Sequence, residues 1–204
     1  MNLEETFRHI NNHRKHVIVN HVAKVCFRGS TGRIFPNETK TPEGSVSNQI
    51  KEVLKKIEVG ELLEIKDQKK FGEWFEKKLG KVVKKIPKRT SRGIELKDSA
   101  RKWGYAAKIL CLFLREMVLH CRYFEPEQAE KVEQWLYCPI DSKVMNAMKA
   151  RGVPLNFTRI MDINKKRFDY VQEQLSNAAK NEKVPRIWFD YVWSIPQKQN
   201  GLEN

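Results

Sequence analysis

The sequence predicts an all-α protein, and two observations lead to that prediction. Apolar residues recur at three- and four-residue steps along most of the chain, which is the spacing of one face of an α-helix. Candidate capping residues open several of these stretches, and glycine or proline closes them. A chain of 204 residues suits one domain, or two lobes that share a core.

The stretches with helical spacing follow one another through most of the chain. The second stretch has aromatic and aliphatic residues on one side and lysines on the other, and the third is the most apolar. The predicted helices span residues 46–59, 68–86, 98–122, 127–136, 142–150 and 164–180.

Local signals justify the ends of these helices. Ser45 or Ser47 is suited to cap the first helix, and Asp98 or Ser99 the third. Asp141 is well placed to cap the helix over 142–150, because Pro139 closes the preceding stretch. Breakers predict the remaining ends, namely Pro87, Gly93, Gly152 and Pro154, with Gly80 as a candidate break inside the second helix.

Two segments stay open between helix and strand. Residues 16–27, HVIVNHVAKVCF, have the β-branched content of a strand, although their spacing also permits a helix. Residues 186–194, RIWFDYVWS, form a final apolar helix or strand. Residues 28–44 and 86–93 are predicted loops.

The charge balance indicates a polyanionic partner. The chain has 39 Lys and Arg against 25 Asp and Glu, a net charge of +14, and its apolar content of 40% is that of a globular protein. Nucleic acid is the default partner for such an excess, and a generally basic, soluble surface is the alternative. No apolar run reaches the ~20 residues that span a bilayer, and the N-terminal residues lack a signal-peptide core. We therefore expect a cytoplasmic or nucleoid-associated protein without membrane contact.

Cysteine and histidine usage predicts no metal and no cofactor. The four cysteines are widely spaced and fit neither a zinc site nor a disulfide scaffold, so reduced thiols are expected. His9, His13 and His16 share one helical face, but no nearby carboxylate or cysteine completes a ligand set. Solvated or phosphate-facing histidines are the preferred interpretation.

Residues 66–92 carry more than half of the excess charge. Eleven Lys and Arg against three acidic residues give this segment a net charge of +8. Such a segment can neutralise phosphates without reading the base sequence, whereas a solvated helix face is the alternative. The residues expected to contact DNA are Lys84, Lys85, Lys88, Arg89, Arg92, Arg101, Lys102 and Lys143.

Lys108 is the one charge in the run WGYAAKILCLFL, residues 103–114. Both sides of this helix are apolar near Lys108, so the side chain is expected to be at least partly buried. Burial lowers the pKa of a lysine, and a neutral amine is a nucleophile that can form a Schiff base. A lysine that extends its stem to water is the alternative.

Asp141 follows Lys108 by 33 residues. As the first residue of a helix, a carboxylate can be fixed by backbone N–H groups, which is an ordinary structural role. Beside a buried lysine, the same carboxylate could stabilise a cationic transition state.

Together, GYAAKILCLFL and CPIDSKVMNAM resemble the helix-hairpin-helix DNA glycosylases, most closely the archaeal 8-oxoguanine DNA glycosylase branch. The closing segment PRIWFDYVWS resembles that branch as well, and the resemblance covers roughly residues 99–193. KWGYAAK stands where the family has a Leu-Pro-Gly-x-Gly hairpin, and no four-cysteine cluster motif follows Asp141. The resemblance implies Lys108 as the Schiff-base nucleophile and Asp141 as the catalytic carboxylate.

The resemblance also implies a fold and a substrate. It implies one glycosylase-like domain, with the basic segment in residues 1–97 and the catalytic helices in 98–204, and a DNA-binding cleft between two lobes. The expected partner is double-stranded DNA with an everted base, bound by a monomer. The base is an 8-oxoguanine-like lesion or a bulky modified base such as hypermodified cytosine of phage DNA, for repair or phage defence. Candidates to stack on the base are Trp74, Trp103 and Trp135, each of which also suits a core.

Two other functions fit parts of the sequence. A non-catalytic helical nucleic-acid-binding protein would explain the charge and leave Lys108 and Asp141 as structural residues. A nuclease would need a metal-binding carboxylate cluster, and the sequence contains no convincing one.

Overall fold

The computed structural model describes residues 3–27, 45–89, 95–96, 99–121 and 123–192. These residues are mostly helical, and among them no strand forms beyond one isolated antiparallel bridge between Arg89 and Glu95. The α-helices are α1 Leu3–Phe27, α2 Val46–Lys55, α3 Gln68–Val83, α4 Ser99–Arg115, α5 Pro126–Glu133, α6 Ser142–Ala150, α7 Lys165–Glu182 and α8 Phe189–Val192. Three 3₁₀ helices lie at Val59–Glu64, Ile160–Asp162 and Arg186–Trp188, and a π-helical turn at Glu116–His120. The all-α prediction is confirmed for this part of the chain.

The ambiguous segment 16–27 is the second half of α1, which runs without a break from Leu3. α1 packs against α2 and α4, so tertiary contacts decide in favour of the helix over the local β-branched preference. The predicted loop 28–44 lies outside the described residues. The other open segment, from residue 186, is helical as far as Val192.

Most predicted helix boundaries agree with the structure to within a few residues. Asp141 caps α6, as expected, and α3 continues through Gly80. The predicted helix over 98–122 ends earlier, because α4 passes into the π-helical turn after Arg115. The π-helical turn continues the helix with an i→i+5 hydrogen bond from Cys121 to Glu116, and the residue spacing did not predict this change.

α4 lies at the centre of the hydrophobic core. It packs against α1, α3 and α7, and against the 3₁₀ helix Ile160–Asp162. From residue 104 to 114 every residue except Lys108 is buried. Lys108 is therefore the one partly exposed residue in this buried part of α4.

Gly104 permits the close approach of α4 to the segment 160–163. A Cβ built at Gly104 would lie 2.1 Å from the carbonyl oxygen of Ile160 and 3.0 Å from Ile163. The segment KWGYAAK is part of one uninterrupted helix, so Gly104 serves helix packing here and does not form a turn. This contact fixes the face of α4 that also carries Lys108, one helical turn further on.

Within the described part of the chain, no helix combines the length and the apolar character that crossing a bilayer requires.

Candidate functional site

Lys108 and Asp141 meet, although 33 residues separate them in sequence. The Lys108 Nζ lies 3.6 Å from the Asp141 Oδ2, and the two side chains are only 11% and 25% exposed. α4 supplies the amine and the start of α6 supplies the carboxylate. The two residues singled out in the sequence thus form one largely buried ion pair.

Asp141 is held by the start of its own helix. One carboxylate oxygen, Oδ1, accepts hydrogen bonds from the backbone N–H groups of Lys143 at 2.9 Å and Val144 at 3.1 Å. The other oxygen, Oδ2, is the one that faces Lys108. The cap uses one oxygen and the ion pair the other, so the structural and the chemical interpretations of Asp141 are compatible. The positive end of the α6 dipole lies at this carboxylate.

A second ion pair lies beside the first. Arg115 on α4 donates a hydrogen bond to Asp190 on α8, and both side chains are largely buried. Burial raises the pKa of Asp190; the Arg115 charge lowers it and the Asp141 charge raises it. The charge of Lys108 also acts on Asp190. Arg115 also donates to the buried Glu116 at 2.5 Å, so two cations and three carboxylates form one charged cluster along α4.

The loop that leads to Asp141 is fixed by two side chains from the C-terminal part of the chain. Gln172 of α7 accepts a hydrogen bond from the backbone N–H of Cys138 at 3.0 Å and donates one to its carbonyl at 2.7 Å. Arg186 donates to the carbonyl oxygens of Trp135 at 2.8 Å and Leu136 at 2.9 Å.

The predicted DNA-contacting residues lie in several places. Four of them follow the end of α3, namely Lys84, Lys85, Lys88 and Arg89. All but Lys85 are exposed, and Arg89 pairs with Glu95 at 2.8 Å. Not every cation of the basic segment is on the surface, because Lys78 is buried and pairs with Glu61 at 2.6 Å.

The structure describes the four remaining predicted contacts to different extents. The Lys102 Nζ donates to the carbonyl of Ile86 at 2.8 Å, which ties α4 to the end of α3. Burial, followed by the charge of Lys88, lowers the pKa of Lys102. Lys143 is exposed beside Asp141, on the first turn of α6. Arg92 and the side chain of Arg101 lie outside the described residues.

The three tryptophans proposed to stack on a base are half-buried. Trp74 donates to Glu61 at 2.5 Å, and Trp103 makes an edge contact with Phe168 at 4.8 Å between ring centroids. Packing accounts for both rings. Trp135 differs, because its Nε1 is the one buried side-chain donor without an acceptor among the described residues. Its stacking role stays a prediction.

Two further features of the described residues are a groove and a group of histidines. An open groove of about 630 Å³ lies between the loop after α6 and the first two turns of α7. The groove is lined by Pro154, Leu155, Asn156, Phe157, Asn164, Lys166, Arg167 and Tyr170.

The histidines His9, His13 and His16 are exposed on α1. The described residues contain no group of three or more side chains suited to hold a metal ion.

No family model matches this sequence, and neither a curated protein nor a solved structure matches it. The family resemblance therefore depends on the motifs around Lys108 and Asp141 and stays a prediction.

Proposed function

We propose that this protein is a DNA glycosylase in which Lys108 is the nucleophile and Asp141 is the carboxylate that stabilises positive charge on the sugar. The observation that carries the proposal is the 3.6 Å separation of the Lys108 Nζ and the Asp141 Oδ2. Base excision by a lysine needs an amine that attacks C1′, and a carboxylate close to that amine can stabilise the positive charge that develops on the sugar.

The proposed reaction balances with these two residues and water. The Lys108 ammonium first gives a proton to water, and the amine electron pair then bonds to C1′ as the glycosidic bond breaks. The electron pair of that bond leaves with the base, which takes up a proton. The nitrogen next passes a proton to O4′ as the sugar ring opens, leaving a protonated Schiff base. Loss of a C2′ proton then expels the 3′ phosphate, which cleaves the strand.

The electrostatics of the chain support DNA as the substrate. The net charge of +14 favours a polyanion, and the exposed cations after α3 are available to neutralise phosphates. The proposal includes a DNA-binding cleft between two lobes and an everted base, because C1′ is not accessible inside a stacked duplex. The base is an 8-oxoguanine-like lesion or a bulky modified base such as hypermodified phage cytosine.

A base-release screen tests the proposal. Duplexes that each carry one lesion, together with phage DNA that carries modified cytosine, are incubated with the protein in EDTA, and free base and abasic sites are measured. Release that wild type shows and Lys108→Gln lacks supports the proposal. Tight binding without release from any substrate would favour the non-catalytic nucleic-acid-binding protein. Strand cleavage that needs a divalent metal would favour a nuclease.

A further inference from the structure

We propose that Gln172 and Arg186 are positioning residues that hold the Asp141 carboxylate against Lys108 by fixing the backbone of residues 135–138. This inference rests on the proposed function for its catalytic consequence. The structural part, that the two side chains determine where Asp141 lies, can be tested without activity. Neither residue has a place in the proposed chemistry, because neither supplies an atom to it.

Both ends of the Gln172 amide bind one residue of the loop. Its side-chain oxygen accepts the Cys138 N–H and its nitrogen donates to the Cys138 carbonyl, so both backbone groups of Cys138 are satisfied by one amide. Gln172 is 2% exposed, and Cys138 is completely buried. A buried amide with two short hydrogen bonds has little freedom, since breaking either bond would leave a polar group unsatisfied.

Arg186 fixes the two residues at the start of the loop. Its Nε donates to Leu136, one Nη donates to Trp135, and the other donates to the Ser176 hydroxyl at 2.9 Å. Its guanidinium also lies 4.4 Å from the centroid of the Tyr137 ring. Burial lowers its pKa to about 10, so it stays charged at neutral pH.

The partners of Arg186 are neutral, which is unusual for a cation that is only 6% exposed. Burying a charge without an ionic partner is costly. Carbonyl oxygens offset this cost here, and the fork of the guanidinium is what allows two successive carbonyls to be bound together. The guanidinium fixes the relative positions of these two carbonyls, and they belong to the loop that leads to Asp141.

The short path from Cys138 to Asp141 transmits this restraint. Only Pro139 and Ile140 intervene, both are buried, and the proline ring fixes its own φ angle. A shift of the Cys138 backbone therefore displaces the Asp141 side chain by a comparable distance. A misplacement of about 1 Å at a reacting group can lower a rate by about 100-fold. The loop carries no regular secondary structure, so these two side chains supply restraints that a helix would supply internally.

The experiment compares Gln172→Met with Gln174→Met. Methionine keeps the length of the side chain and removes both hydrogen bonds, and Gln174 lies two residues further along the same helix, outside this contact. We expect Gln172→Met to lower the single-turnover rate of base release by about 10- to 100-fold, with the Kd for DNA within about twofold of wild type. Gln174→Met should match wild type in both. A full single-turnover rate in folded Gln172→Met would overturn the inference.

A second measurement works without catalysis. The backbone amides of Lys143 and Val144 report the position of Asp141, because both donate to its Oδ1. In ¹⁵N spectra, Gln172→Met should shift these two amides and speed their hydrogen exchange, while Gln174→Met leaves them unchanged. If wild type releases no base, the proposed function fails, and the positioning role is tested by these amides alone. Unchanged amide signals of Lys143 and Val144 in Gln172→Met would overturn it. Should Gln172→Met not fold, Arg186→Lys, which keeps the charge and loses the fork, replaces it in both measurements.

Discussion

Asp141→Asn separates the two roles of Asp141. The asparagine oxygen can still accept the backbone N–H groups of Lys143 and Val144, and asparagine caps helices about as well as aspartate. Only the negative charge opposite Lys108 is lost. The substitution should therefore keep the fold, at a cost of roughly 1–2 kcal/mol for leaving the largely buried Lys108 ammonium without its ion-pair partner.

The distance in the site gives the size of the expected effect on the rate. Two unit charges 3.6 Å apart interact by about 4–5 kcal/mol at an effective dielectric constant of about 20. A positive charge that develops on the sugar at a similar distance from Asp141 would lose this stabilisation in the asparagine variant. Since each 1.36 kcal/mol is about tenfold in rate, base release should fall by roughly two to four orders of magnitude.

The assay is single-turnover base release with enzyme in excess, so that DNA affinity does not limit the rate. Asp67→Asn is the matched control, because Asp67 caps α3 in the same way and accepts the Lys70 N–H at 2.8 Å. That control should be as active as wild type, and thermal unfolding should confirm that both variants are folded. A stable Asp141→Asn variant with the full rate would refute a catalytic role for the carboxylate.

Three further changes test the packing and the charge. Gly104→Ala should destabilise the fold by about 1–3 kcal/mol, because its Cβ would overlap the carbonyl of Ile160. Gly80→Ala is the control: nothing lies within 4 Å of its Cβ, and it should stabilise α3 by up to about 1 kcal/mol. Equal urea midpoints for the two variants would contradict the close contact at Gly104. Glu61→Gln should cost roughly 1–3 kcal/mol by leaving buried Lys78 without its ionic partner. The hydrogen bond from Lys78 holds the pKa of Glu61 below its ordinary 4.5. Wild type should therefore lose this stability as the pH falls below that value. If Glu61→Gln loses the same stability in acid, the Lys78–Glu61 ion pair is not its source. Charge reversal after α3 should weaken DNA binding at all sequences. It should also make the slope of log affinity against log salt concentration shallower by roughly three to four units. An unchanged Kd would show that the segment does not contact DNA. The reversed residues are Lys84, Lys85, Lys88 and Arg89.

Much of the fold follows from the sequence, because spacing and caps act locally. The cap at Asp141 and the apolar run around Lys108 predicted the start of α6 and the centre of the core. The helical conformation of residues 16–27 could not be predicted, because their β-branched side chains favour a strand. Contacts of α1 with α2 and α4 stabilise the helix. Gly104 was recognised as part of a motif, but its role in close packing depends on a segment more than 50 residues away.

The candidate site was predicted only as far as its two main residues. Gln172 has no local signal, because its hydrogen bonds join residues 34 positions apart. Arg186 had one: it is a lone charge in the apolar stretch RIWF, the same feature that singled out Lys108. Asp190 lies in the closing segment that resembles the family, yet only the fold shows that it pairs with Arg115 beside Lys108.

Borohydride trapping tests the central claim most directly. Wild-type protein is mixed with duplex DNA that carries the intact modified base, and borohydride is added during turnover to reduce any imine. The account predicts a covalent protein–DNA adduct in wild type, its loss in Lys108→Gln with DNA binding kept, and its retention in the control Lys149→Gln. An adduct of equal yield in Lys108→Gln would assign the nucleophile to another lysine, and base release by wild type without any adduct would make water the attacking group.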